Sequence, residues 1–303
     1  LIHNESNGIQ LVSHRFEKEK QILEIKFKKA KYKIYLNLIG KIQVKNILMA
    51  IIAANNSGIE FKKILKILPR ITSVEGRLEK IGKIHNNSKV ILDYAHTPAA
   101  LESALSNLKE QFPSNKINLI FGCGGDRDFK KRSLMGKIAE KYSNEIYLTD
   151  DNPRNEKPFE IRNEIKKGIK NKRIHEIPDR KKAIQEAVKN LKTGDILLVA
   201  GKGHEKIQDY GKKRTFFSDQ KVILSSIRAK NKFLSKNIKL NIIQEQSKLN
   251  LSNKIQIKDA SINSKLIKKN DIFFAIKGKN LDGNNFIPEA IKKKIKFCYC
   301  KSI

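Results

Sequence analysis

The sequence predicts an α/β protein built on a doubly wound, mostly parallel sheet. Three observations carry that expectation. Short, nearly continuous apolar runs recur at residues 90–92, 117–121, 146–148 and 196–200, as strands covered on both faces require. Amphipathic helical patterns fall between them, giving the strand and helix alternation of a parallel sheet. A polar cluster follows each run, on the rim where open α/β sheets hold their ligands.

The elements follow in order. Up to about residue 40 the chain reads as strands with loops, clearest at 31–38, where Tyr32, Ile34, Leu36 and Leu38 alternate with polar neighbours. After Gly40 the period becomes helical, with Val44, Ile47, Leu48, Ile51 and Ile52 on one face and a stop at Asn55, Asn56 and Gly58. A second helix over 60–68 ends before Pro69, and 70–76 is a linker. In the sheet region, Thr97 caps a helix with Pro98 at its first position and Leu101, Leu105 and Leu108 as its buried stripe. Leu134, Ile138 and Tyr142 mark the next stripe. Asp179 caps a third helix that buries Ile184, Ala187, Val188 and Leu191. A helix over 218–229 closes this domain. A Lys- and Asn-rich linker at 233–252, with one short helix, leads to a small α/β unit at 253–303. Its expected strands lie at 255–257, 271–276 and 297–300, with a helix at 285–294. The domain limits expected are therefore 1–74, 75–232 and 253–303. No internal repeat is visible.

The 63 basic against 31 acidic residues leave a net charge of +32, which raises nucleic acid as a partner. The basic residues are spread evenly among Ile and Asn, however, with no arginine-rich arm, so a non-catalytic basic binding module is the lesser reading. Cys123, Cys298 and Cys300 are too few and too badly spaced for a disulfide framework or a four-ligand zinc site. No stretch approaches the roughly 20 apolar residues of a membrane span. A cytoplasmic monomer is expected, without a membrane partner. The start at Leu1 and an end inside a strand-like run suggest a piece of a longer polypeptide.

Four motifs carry candidate chemistry. FGCGGDRD at 121–128 is a plain glycine-rich turn or a loop whose backbone approaches an anion; the acids flanking Arg127 would hold its guanidinium for a substrate carboxylate. In DDNPR at 150–154, Pro153 stiffens a loop from which Asp151, Asn152 and Arg154 could read the ammonium and carboxylate of an amino acid. The plainer alternative is an Asx-type turn with a solvated arginine. AGKGHE at 200–205 is not a phosphate loop, because the GxxxxGK[ST] spacing is absent; Gly201 and Glu205 could admit a cationic group, and His204 is given no chemistry. DYAHTP at 93–98 opens a helix, so Asp93 and His96 either serve a nucleotide or merely cap the turn.

In this order, one after each strand, the motifs closely resemble the Mur ligase family over about residues 30–228, and DNPR resembles its meso-diaminopimelate-adding members. The resemblance implies a Rossmann-like C-terminal domain preceded by part of the central ATP-binding domain. It implies ligation of meso-diaminopimelate to a UDP-N-acetylmuramoyl dipeptide at the expense of ATP and Mg2+. It assigns diaminopimelate to Arg127, Asp151, Asn152, Pro153, Arg154, Gly201 and Glu205, and ATP to Asn46, Arg77, Asp93 and His96. Gln43 stands where the family usually has asparagine. No residue here is assigned to catalysis or metal binding; the family's phosphate loop, metal-holding residues and carbamylated lysine would precede Leu1, leaving this piece inactive alone. NDIFFAIKG at 270–278 and LDGNNF at 281–286 resemble the opening of the next ligase of that family, which adds D-alanyl-D-alanine, with SINSK at 261–265 as a weak counterpart of its uridine-nucleotide segment. A folate-adding ligase of the same superfamily is the other alternative.

Overall fold

A computed structural model describes residues 8–17, 19–170, 174–236, 260–269, 271–276, 281–293, 295 and 297–300. The chain divides into two compact units, residues 1–227 and 228–303.

In the first unit, β1 (Ile9–Glu17), β2 (Lys20–Phe27) and β3 (Ala30–Leu36) form an antiparallel sheet. Strand alternation places Leu23, Ile25, Ile34 and Leu36 on one face. Helices α1 (Ile42–Asn56) and α2 (Phe61–Ile67) cover that face through Val44, Ile47, Ile51, Phe61 and Ile64. The stripe of α1 is the one its spacing predicts, and Gly58, with φ of +88°, follows its end. The start of α1 has no capping side chain of its own. Gln111 instead accepts from Gly40 N at 2.8 Å and Asn107 from Ile42 N at 3.1 Å.

Those two residues belong to α3 (Pro98–Gln111) of the larger sheet domain. Its six strands run in the order β4 (Glu79–Lys80), β5 (Lys89–Asp93), β9 (Ile196–Ala200), β6 (Ile117–Phe121), β7 (Glu145–Leu148) and β8 (Ile174–Glu176). All neighbours are parallel except β4 with β5. The four apolar runs are β5, β6, β7 and β9, and the last is buried throughout. Helices α3, α4 (Lys130–Tyr142), α5 (Pro158–Lys166) and α6 (Arg180–Asn190) connect them. Thr97 accepts from Ala100 N and Asp179 from Lys182 N, so both expected caps are present.

One expected stripe is shifted. Helix α4 buries Arg132, Met135, Gly136 and Ala139, while Leu134 is exposed and Ile138 and Tyr142 only pack at the margin. The reason is the close crossing with α5: a Cβ on Gly136 would stand 2.2 Å from Ile165 O, so the small residues must face inward. Buried Arg132 reaches Glu156 and Glu164, each at 2.8 Å. A hairpin of β10 (Ile207–Asp209) and β11 (Arg214–Phe216) precedes α7 (Asp219–Lys236). Asp219 and Arg180 form a fully buried ion pair at 2.7 Å.

In the second unit, β12 (Ala260–Ser261), β13 (Ile272–Ala275) and β14 (Phe297–Cys300) form a parallel sheet. A short turn at Gly283–Phe286 leads into α8 (Ile287–Lys292), and Phe273, Ala275 and Ala290 make the core. The expected strand at 255–257 and the short linker helix lie outside the described residues. Among the described residues no helix is long and apolar enough to cross a membrane.

Candidate functional site

Four loops leave the carboxyl ends of β5, β6, β7 and β9 and meet on one rim. After β5, Asp93 is buried and accepts from Leu78 N at 2.7 Å and Ala95 N at 2.8 Å. Burial raises its carboxyl above the usual range, against the pull of those N–H groups and of Arg77. Asp93 therefore shapes the turn and is not in the lining of the cleft that the rim loops form. Tyr94 is half-buried, with its ring against His96 and His204 and the Arg77 guanidinium 4.9 Å above it. Its hydroxyl donates to Glu205 Oε1 at 3.3 Å. His96 is exposed at the rim.

The loops after β6 and β7 lie against each other. A Cβ on Gly122 would stand 2.2 Å from Thr149 O, and one on Gly125 1.9 Å from Pro153 O. Gly125 N already donates to Asn152 O at 2.9 Å. These glycines therefore serve loop-on-loop packing, and the expectation of backbone N–H groups offered to an anion is not met at Gly125. Nor do the flanking acids hold Arg127. Asp126 accepts from Asn155 at 2.8 Å and Asp128 from Lys130 N at 2.9 Å. Arg127 is exposed, with only a 3.5 Å contact to Asp126 O, so its guanidinium is free for a ligand carboxylate. Arg154 sits at φ of +52°, a conformation costing a non-glycine residue about 1–3 kcal/mol. It is held there by Arg154 N donating to Asp209 O at 3.0 Å and by its guanidinium donating to Gly125 O at 2.7 Å. Pro153 is buried and braces this turn.

After β9, Gly201 takes φ of +114°, and a Cβ there would meet Asp151 Oδ2 at 2.6 Å. Lys202 is fully buried. It donates to Ile207 O at 2.6 Å, Asn152 Oδ1 at 2.9 Å and Glu205 Oε2 at 3.2 Å, with Asp151 3.9 Å away. Asn152 also donates to Glu205 Oε2 at 3.1 Å and accepts from Asp209 N at 3.0 Å. Burial opposes ionisation of Glu205, but Lys202, Asn152 and Tyr94 outweigh it and hold the carboxyl below the usual range. Burial pushes the Asp151 carboxyl up, against the pull of Arg180 and Lys202.

Together these loops enclose a cleft of about 640 Å³. Arg127, Asp151, Asn152, Arg154, Gly201, Glu205 and His96 all line it, with Tyr94 and Lys131 beside them. Both arginines thus face one space that also holds two carboxylates, an arrangement complementary to a zwitterion. Pro153, Arg77, Asp93 and Asn46 are not in the lining. Arg77 is exposed and one ring away, through Tyr94; Asn46 is exposed on α1, its amide donating to Gln43 at 3.2 Å. Tyr94, Lys131 and Lys202 were missed by sequence reasoning. Their positions inside DYAHTP and AGKGHE, and directly after the glycine-rich loop, were the available signal. No cluster of His, Cys, Asp or Glu among the described residues could hold a metal ion.

Residues 76–203 match the family model described as Mur ligase, glutamate ligase domain. Among curated relatives, the UDP-N-acetylmuramoyl-L-alanyl-D-glutamate--2,6-diaminopimelate ligase of Rickettsia felis is 45% identical over 199 residues, 65% of this chain and 37% of that protein. The enzyme of the same name from Buchnera aphidicola subsp. Baizongia pistaciae is 47% identical over 195 residues, 64% of this chain and 38% of that protein. A solved structure of a ligase of that name has a TM-score of 0.59 at 33% identity, covering 75% of this chain and 46% of the other. A folylpolyglutamate synthase from Thermotoga maritima, at 22% identity and a TM-score of 0.50 over 64% of this chain and 43% of the other, shares the fold. The chain spans roughly two fifths of the length of these curated relatives.

Proposed function

We propose that this chain supplies the amino-acid-binding part of an ATP-dependent ligase that joins meso-2,6-diaminopimelate to UDP-N-acetylmuramoyl-L-alanyl-D-glutamate in the cytoplasm. One observation carries the reading. Arg127 and Arg154 line the same cleft as Asp151 and Glu205, so a ligand with a carboxylate and an ammonium at one end finds counter-charges for both. The relatives named for diaminopimelate support this amino acid over lysine.

In this reading Arg127 and Arg154 bind the carboxylate, Glu205 with Asn152 and Asp151 receives the ammonium, and Gly201 leaves room for both. ATP would activate the dipeptide carboxyl as an acyl phosphate for attack by the amino acid's other amine. Arg77 and His96 are the exposed groups suited to the nucleotide; Asn46 would approach it from α1. The described residues hold no group of three or more His, Cys, Asp or Glu side chains that could bind a metal ion, and no step is assigned to Mg2+ here.

Calorimetric titration of the chain tests the amino-acid assignment. Meso-diaminopimelate is expected to bind at least about tenfold more tightly than L-lysine, which lacks the second carboxylate; one charge-assisted hydrogen bond is worth about 1.5–3 kcal/mol. R127M and R154M should each lose a similar factor. Equal affinity for L-lysine overturns the assignment. We read residues 253–303 as the opening of a second ligase of the family, on the motifs at 270–278 and 281–286. A transcript continuous across codons 228–260 is expected, and two separate transcripts would refute the fusion.

A further inference from the structure

We infer that Lys202 is a positioning residue of this site: its buried ammonium fastens the Asn152 amide and the Glu205 carboxylate together, and so presents to the cleft a carboxylate already ionised and already aimed. The ligand part of the inference rests on the amino-acid reading above; the positioning part does not.

A fully buried lysine is rare unless its charge is matched. Lys202 is completely excluded from solvent, so it touches no ligand and acts only through its neighbours. An ammonium has three donors, and here three acceptors take them: Ile207 O, Asn152 Oδ1 and Glu205 Oε2. The first comes from β10, the second from the loop after β7, and the third from the loop after β9. One cation therefore ties three chain segments at a single point. Glu205 Oε2 is consumed by Lys202 and Asn152, whereas Oε1 meets only the Tyr94 hydroxyl and keeps a lone pair for the cleft.

The charge itself is also required. Asp151 and Glu205 line the same wall, and Lys202 is in ion-pair range of both. Arg180 adds to the field at Asp151 but is committed to Asp219 and Ala200 O. Without Lys202, two carboxylates share a poorly solvated wall, and one of them takes up a proton. Such a carboxyl no longer balances a ligand ammonium.

The test compares the wild-type chain with K202M, which keeps the length of the side chain and removes its charge. With 13C-labelled glutamate, and E205Q to identify the signal, the Glu205 carboxyl is titrated without ligand. The midpoint is expected to rise by about one unit or more in K202M, a tenfold change in proton affinity; an unmoved midpoint overturns the inference. Should K202M fail to fold, 15N-lysine labelling of the wild-type chain reads the same contact. One ammonium with slowly exchanging protons is expected, shifted in E205Q; fast exchange at every lysine overturns the inference. Relative to the wild-type chain, meso-diaminopimelate affinity in K202M is expected to fall several-fold near about pH 4, where a Glu205 raised by about one unit is largely protonated, and to recover toward about pH 7, where it is ionised in both. Equal loss at both pH values would mark a mere structural staple. If the wild-type chain binds no diaminopimelate but the Glu205 midpoint moves, the ligand reading fails and the positioning role stands. If diaminopimelate binds and the midpoint is fixed, the reverse holds.

Discussion

Replacing Gly201 by alanine tests whether the conformation of this loop is what makes the cleft. Two costs are separable. At φ of +114° a side chain is strained by about 1–3 kcal/mol. The added Cβ would also lie 2.6 Å from Asp151 Oδ2, so the carboxylate must swing away from a position where it is buried and 3.9 Å from Lys202. Gly58 is the internal control, because it has φ of +88° but nothing within 4 Å of its Cβ position. G58A should therefore show strain alone. At roughly 2–4 °C per kcal/mol for a domain of this size, strain lowers the melting temperature by about 2–12 °C, and G201A should exceed G58A by the cost of moving Asp151. In calorimetry G201A should also lose diaminopimelate affinity, whereas G58A should not. D151A should restore part of the stability of G201A, since it removes the clashing oxygen. Equal melting temperatures for G58A and G201A, with ligand affinity intact in both, would refute the argument.

Other outcomes follow from single contacts. D219N leaves the Arg180 guanidinium buried without its counter-charge and should cost about 3–5 kcal/mol in denaturant unfolding; a change below about 1 kcal/mol would contradict the pair's burial. Cys123 is buried and its thiol is pushed up to about 12, so native protein near pH 8 should resist iodoacetamide while unfolded protein reacts, and equal rates would contradict this. Glu156 is held below the usual carboxylate range, first by its hydrogen bond from Arg132. A depressed folded value gives stability that is present above the ordinary glutamate range and lost as pH falls through the folded value. E156Q should therefore show a flatter fall in stability between about pH 5 and pH 3, and an unchanged slope would count against the contact.

Much of the larger sheet was legible because a strand buried on both faces must be apolar without interruption, as at Ile196–Ala200, and because caps such as Thr97 and Asp179 are local. The rim loops were legible for the same reason: polar runs after such strands have one place to go. Charges in helices and tight loops were not. Arg132, Arg180 and Lys202 are each buried against a partner at least three residues away, brought by another turn of chain. The stripe of α4 was misplaced because apolar spacing marks Leu134, whereas the crossing at Gly136 and Ile165 sets the rotation. Asp93 was left between a nucleotide contact and a turn cap, because its sequence position cannot reveal that Leu78 N and Ala95 N donate to its carboxylate.

The position of β9 between β5 and β6 bears on how such a protein is made. A ribosome delivers β5 and β6 roughly a hundred residues before β9, so a nascent sheet carries a vacant slot with two exposed ladders. Gly201 and Glu205 come last and border that slot. The amino-acid cleft thus comes into being at the moment the gap is filled, and a chain that stops short of residue 196 has neither a continuous sheet nor a complete rim.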